Sequence, residues 1–139
     1  RMSSFLWALL TAFIWGGVPL LEKVGLNRVE PVVGLFYRCF GVVIGVVCLG
    51  IFVVKPAHMK TADLKSIMML VLAGFLASFV AQVTFYTALK NGEVSRVVPI
   101  SAMYYVISFI LGIIVFKESV TPAKILGIML MISGAWLLK

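Results

Sequence analysis

Charge is scarce in this chain. Of 139 residues only five are acidic and 12% are charged at all, about half the share usual in a soluble domain. There is one histidine, His58, alone in a polar loop without the partners a metal or proton relay needs. There are two cysteines, Cys39 and Cys48, nine positions apart on one predicted helix and so half a turn out of phase; they cannot bridge each other within one chain. No Cys/His or Ser/His/Asp set and no glycine-rich phosphate loop after a strand appears, which argues against an enzyme and against cofactors or bound metal. The net charge of +7 would suggest nucleic acid in a soluble protein, but no basic stripe is interleaved with aromatics. The basic residues sit mostly in short connections, where lipid headgroups are the expected partner.

What the chain has instead is apolar length. Hydrophobic residues make up 63% of it, and the mean hydropathy is +1.16. No soluble fold of this size hides that much apolar surface, so the bilayer is the solvent. Met2–Leu21, Ser66–Leu89 and Val97–Phe116 carry no charge over 20, 24 and 20 residues. Pro31–Val54 has 24 residues and one charge, Arg38. About 20 helical residues cross a hydrocarbon core of roughly 30 Å. A fifth run, Ile125–Leu138, has 14 residues; Thr121-Pro122-Ala123 extends it backwards and the flanking lysines snorkel. The expected fold is an all-α polytopic membrane helix bundle of five transmembrane helices in one domain, over about 3–22, 31–54, 65–89, 96–116 and 121–139. Met2–Leu21 lacks a small-residue cleavage site and is read as a span, not a signal peptide.

Punctuation agrees. Pro31 and Pro122 suit a first helical turn, Thr121 is a candidate N-cap, Lys55-Pro56 closes the second span, and Pro19 and Pro99 predict kinks or unwinding. Gly34, Gly41 and Gly45 fall along one side of the second span, where helices can approach closely, and Gly127 and Gly134 mark a looser stripe on the fifth; these are faces for helix packing within the chain or between chains.

Five spans place the two ends on opposite sides. Arg1, Lys55, Lys60, Lys65, Lys117 and Lys124 then share one side; Lys23, Arg28, Lys90, Arg96 and Lys139 share the other, with Arg38 inside a span nearer to them. Such a difference sets orientation, and here it is zero or one. A weak orientation preference is expected, with insertion both ways.

The order of these features resembles one repeat of the drug/metabolite transporter superfamily, the EamA-type domain. The residues that carry the resemblance are Trp15-Gly16 with Lys23 after them, Pro31 followed by Arg38, Tyr86-x-Ala88-Leu89, Pro99, and Glu118-Ser119-Val120-Thr121 before Gly127 and Gly134. The resemblance implies export or exchange of small molecules across a bacterial or archaeal inner membrane. Most members have two inverted repeats; this chain looks like the single-repeat branch, which implies an antiparallel homodimer or a homologous second half. Swapping conformations between inverted units swaps which side is open.

Polar groups inside a membrane are costly and are functional candidates by default. Arg38 stands about 10 Å along its helix; it either contacts an anionic group in the pathway, or snorkels, or pairs with Glu22. Ser78, Gln82 and Tyr86 form a stripe on the third span, as do Thr11, Trp15 and Glu22 on the first and Ser101, Tyr104, Tyr105 and Ser108 on the fourth. These stripes either line a substrate cavity or act as interhelical glue. For Glu118, beside Lys117 at a span end, the resemblance implies a structural or gating role; an exposed loop pair is the alternative. No acid lies at midplane depth, so the superfamily's buried-carboxylate cation exporters are a poor match, and neutral, zwitterionic or anionic metabolites are favoured. The function expected is a secondary transporter protomer; the alternatives are a non-transporting accessory or scaffold subunit, and an ion or cationic-drug transporter.

Overall fold

The computed structural model describes residues 4–60 and 62–138, the His58 side chain excepted. Among the described residues every regular element is helical, as expected of a polytopic membrane helix bundle. Arg1 and Lys139, both counted above in the charge balance, lie outside the described residues. The chain falls into two compact units, 1–90 and 91–139.

The first unit opens with α1, Ser4–Leu26, followed by α2, Pro31–Phe52. Their 23 and 22 residues rise about 34 and 33 Å, enough to span. α1 runs on through Pro19 without interruption and ends one turn beyond Glu22. The charge pattern alone ends the span near Glu22. In the structure that charge is neutralised by neighbouring donors, so the helix has no cause to stop at it. Pro31 occupies the first turn of α2, where its missing N–H is no loss. The loop before the third span holds a single helical turn, α3, Pro56–Met59.

The third span, Leu64–Asn91, is 28 residues long and is not one regular helix. α4 covers Leu64–Phe75, a π-helical turn covers Leu76–Val80, and α5 covers Ala81–Asn91. Ala81 N–H donates to the Leu76 carbonyl, five residues back. A π-turn takes in an extra residue and shifts the register of the helix beyond it. The even spacing Ser78, Gln82, Tyr86 therefore is not an unbroken stripe: the first residue lies in the π-turn, the other two in α5. Asp63 caps α4, accepting from the Ser66 backbone N–H (3.3 Å) and from the Ser66 hydroxyl. Those hydrogen bonds, the hydroxyl's first, hold the Asp63 carboxyl below its ordinary range.

Besides Pro19 within α1, the buried apolar side chains of this unit are Leu26, Leu35, Tyr86 and Leu89. These four come from the end of α1, the start of α2 and the end of α5, so the close packing is at one end of three helices. Elsewhere large apolar side chains stand uncovered, as lipid-facing side chains do.

In the second unit the fourth span, Val94–Phe116, is broken at Ala102–Met103 into α6, Val94–Ser101, and α7, Tyr104–Phe116. The break lies three residues past Pro99, within the region where the proline predicts unwinding. Lys117 ends α7 in the left-handed conformation, φ 52°. The next helix, α8, Pro122–Leu137, starts from Thr121, whose hydroxyl accepts from the Lys124 N–H at 3.3 Å. Its 16 residues rise about 24 Å, shorter than the other spans but uncharged throughout after Lys124.

Candidate functional site

Four polar side chains from three helices meet in the first unit. Glu22, on the last full turn of α1, has a side chain only 9% exposed. Gln82 and Tyr86 lie four residues apart on α5 and so share a face. Tyr86 O–H donates to Glu22 Oε1 at 2.8 Å and Gln82 Nε2 donates to the same oxygen at 3.1 Å. From α2, Arg38 Nε approaches that oxygen at 3.5 Å. A carboxylate one turn inside an apolar helix is thus held by two hydrogen bonds and an opposite charge, which is what makes its burial tolerable.

The arginine is less well matched than the glutamate. Nε is its one contact to Glu22, at a distance longer than a charge-assisted hydrogen bond, and not the two-pronged geometry a guanidinium allows. Arg38 Nη1 is buried without an acceptor among the described residues. An unmatched buried donor costs about 1–3 kcal/mol, and such a defect in an otherwise satisfied cluster invites a functional account.

Gly34 makes the meeting of helices possible. A Cβ there would stand 2.7 Å from Leu26 Cδ2 and 3.7 Å from two atoms of the Tyr86 ring. Two lysines fasten the same end. Lys23 Nζ donates to the Leu89 carbonyl and, at 3.1 Å, to that of Lys90, near the end of α5. Lys90 Nζ donates at 2.8 Å to the Val29 carbonyl, just past α1. Lys23 serves carbonyls that the end of α5 leaves without intrahelical partners and carries positive charge to the negative end of its dipole, whereas Lys90 serves a carbonyl of the loop between α1 and α2.

Beside the cluster lies a cleft of about 420 Å³. Glu22, Tyr37, Arg38 and Tyr86 supply its polar groups; Val18, Leu21 and Val29 are among its apolar walls. The volume is in the range of small-molecule sites, and apolar walls with a few convergent polar groups are their usual composition. A second hollow of about 380 Å³ is lined by Ile67, Met68, Val71, Leu72 and Phe75 from α4 alone, with no charged group, and reads as lipid-facing surface.

Of the residues singled out from sequence, Glu22, Arg38, Gln82 and Tyr86 are brought together here. Trp15 is 59% exposed on α1, two turns before Glu22, and is not in the cleft wall. Ser101, Tyr104 and Tyr105 belong to the second unit; the two tyrosine rings lie 4.1 Å apart, centroid to centroid. Glu118, also there, folds against Gly112, its Oε2 3.4 Å from where a Cβ would stand. A Cβ on Gly41, Gly45, Gly127 or Gly134 would meet nothing within 4 Å, so those faces have no close neighbour among the described residues. Gly34, placed from sequence on a side of the second span where helices can approach closely, is where that approach occurs; sequence reasoning misses two participants at this site, Lys23 and Lys90 as carbonyl donors. A signal for the lysines exists, since each falls in the last turn of its helix.

Comparison with known proteins decides the family. The EamA-like transporter family profile matches residues 2–139. The chain belongs to that family. A 29% identical relative, an uncharacterized protein of Methanocaldococcus jannaschii, aligns over 137 residues, 99% of this chain and 96% of its own length. No solved structure matches significantly. A multi-pass membrane protein of the drug/metabolite transporter type is therefore what the helices build.

Proposed function

We propose that this EamA-family chain is the protomer of a secondary transporter that exports or exchanges a small metabolite across the inner membrane by alternating access, working as an antiparallel homodimer. The observation that carries the reading is the cluster Glu22–Arg38–Gln82–Tyr86 opening on the cleft. Ionisable groups inside spans are expensive and mark pathways, and this cluster is open enough to admit a solute. The near balance of basic residues between the two sides supports insertion in both senses. A relative of nearly the same length supports a unit of one repeat. With two inverted copies, each would present its cluster to the shared path from opposite sides, and exchanging their conformations would reverse access. The uncovered glycine faces at Gly41 and Gly45 suit contact with the second copy.

The test is reconstitution. Purified protein in proteoliposomes is loaded with a mixed metabolite pool, and efflux is followed by mass spectrometry. Wild type is expected to move at least one solute class, and Arg38→Gln to abolish that movement while helicity stays intact. Protein that moves nothing, alone or with a homologous partner, would make the accessory-subunit reading the better one. Sidedness labelling of an introduced terminal cysteine, in a background without Cys39 and Cys48, is expected to find both orientations; one strict orientation would exclude the antiparallel homodimer. Proton-driven efflux of ethidium-like cations abolished by Glu22→Gln would overturn the preference for metabolites over cations.

A further inference from the structure

The geometry points to Arg38 as the docking group for a carboxylate, so that the cleft selects small organic monoanions with an apolar body over cations and over neutral isosteres. The inference deepens the transport reading and rests on it for its place in a pathway.

The argument is one of donors and acceptors. Glu22 Oε1 takes three donors, from Tyr86, Gln82 and Arg38. An incoming ammonium would have to displace one of them to reach that oxygen. Arg38 is the reverse case. It commits Nε to a contact at 3.5 Å, and the buried Nη1 has no acceptor among the described residues. Among the described residues the buried side-chain atom left unmatched is therefore a donor, and an anion would match it. A guanidinium edge offers two parallel N–H groups that match the two oxygens of a carboxylate. The long, weak tether to Glu22 and a side chain one-third exposed leave the guanidinium free to turn that edge into the cleft.

The departure of Arg38 would not strand Glu22. If a ligand draws Arg38 away, the Tyr86 hydroxyl and the Gln82 amide still hold the glutamate oxygen. The cluster can thus exchange an internal ion pair for one with the ligand without exposing a bare carboxylate to hydrocarbon. The rest of the cleft sets the ligand's body: Val18, Leu21 and Val29 are apolar, and the Tyr37 ring adds an aromatic edge. One carboxylate on an apolar or aromatic frame satisfies both parts; a second negative charge would meet the Glu22 carboxylate there.

Three probes of one shape separate the possibilities: phenylacetate, phenylacetamide and phenethylammonium, titrated calorimetrically into the protein in dodecyl maltoside, which supplies no phosphate to occupy Arg38. Phenylacetate is expected to bind about tenfold or more tightly than either other probe, the discrimination of one charge-assisted pair. Arg38→Gln is expected to remove that preference, and Arg38→Lys to restore it in part. The comparison of probes on wild type stands even where a variant misfolds. Equal binding of acid and amide, tighter binding of the ammonium, no binding of any probe, or a preference that survives in folded Arg38→Gln would each overturn the inference. The transport reading fails separately: phenylacetate that binds through Arg38 in a protein that carries no solute leaves the docking group standing and removes the pathway. Carriage of neutral or cationic solutes without carboxylate binding does the opposite.

Discussion

Two glycines seven residues apart on α2 should answer an added methyl group in opposite ways. At Gly41 a Cβ meets nothing within 4 Å; at Gly34 it would stand 2.7 Å from Leu26 Cδ2, inside any tolerable contact. Replacing glycine by alanine in a helix interior gains about 1 kcal/mol from reduced backbone freedom. Gly41→Ala should keep that gain or part of it. At Gly34 the gain is opposed by overpacking, which costs about 1–3 kcal/mol, and the obstruction cannot slip aside easily, because Leu26 is only 2% exposed and the Tyr86 ring lies 3.7 Å from the same point. Gly34→Ala should therefore be neutral to destabilising by about 2 kcal/mol, and less stable than Gly41→Ala by roughly 1–3 kcal/mol. Equilibrium unfolding in mixed micelles with rising SDS measures both. Leu26→Val removes the clashing atom, so the pair Gly34→Ala with Leu26→Val should show a favourable coupling of about 1 kcal/mol or more. Gly34→Ala as stable as Gly41→Ala, or no coupling to residue 26, would refute the close approach of α1 and α2 at this end.

Other consequences are equally direct. Tyr86→Phe keeps the ring and deletes the donor to Glu22, so it should cost about 0.6–1.7 kcal/mol in the same unfolding assay, the span of hydrogen bonds between membrane helices. Lys23→Met frees the carbonyls of Leu89 and Lys90, and hydrogen exchange near residues 89–91 should quicken, with Lys23→Arg restoring much of the protection. Lys117→Gly relieves a left-handed residue that carries a Cβ and should stabilise the second unit by about 1 kcal/mol. Asp63 titrates below its ordinary range because Ser66 donates to its ionised form, so the cap is at full strength above the unfolded-state value and is lost as pH falls through the lower, folded one. Amide exchange at Ser66 should accelerate across that acidic window in wild type and show no such step in Asp63→Asn.

The spans were legible because their signal is bulk: long uncharged runs need no neighbour to be read. The caps at Thr121 and the prolines at 31 and 122 were legible for a related reason, being local chemistry. Glu22, Gln82, Tyr86 and Arg38 were each visible as polar residues on apolar helices. Their convergence on one oxygen was not, because periodicity orders residues along one helix and says nothing of the rotation of the next. The π-turn at Leu76–Val80 makes the point: it comes from how that span is wound, and it breaks the 78–82–86 spacing that an ideal helix would preserve. Gly34 was legible as one of three glycines on a side suited to close approach, but not as the one in contact, since what distinguishes it from Gly41 and Gly45 is Leu26, eight residues away and on another helix.

The fastening and the site share one end of the first unit, and that coincidence has a physical basis. In hydrocarbon, apolar side chains gain little by leaving lipid for one another, so helices are held by close approach and by polar contacts. The places where Leu26, Leu35 and Leu89 are covered are the places where Gly34 admits a neighbour and Lys23 and Lys90 reach carbonyls. The same close approach brings Glu22 within reach of Gln82, Tyr86 and Arg38. A charged cluster in a membrane can be kept only where helices are already pinned, because a partner that drifts by a few ångströms leaves an ion unpaired in a medium of low dielectric. It follows that weakening the fastening should loosen the ion pair as well, and that Arg38, the member with the longest contact and an unmatched nitrogen, is the one to move first.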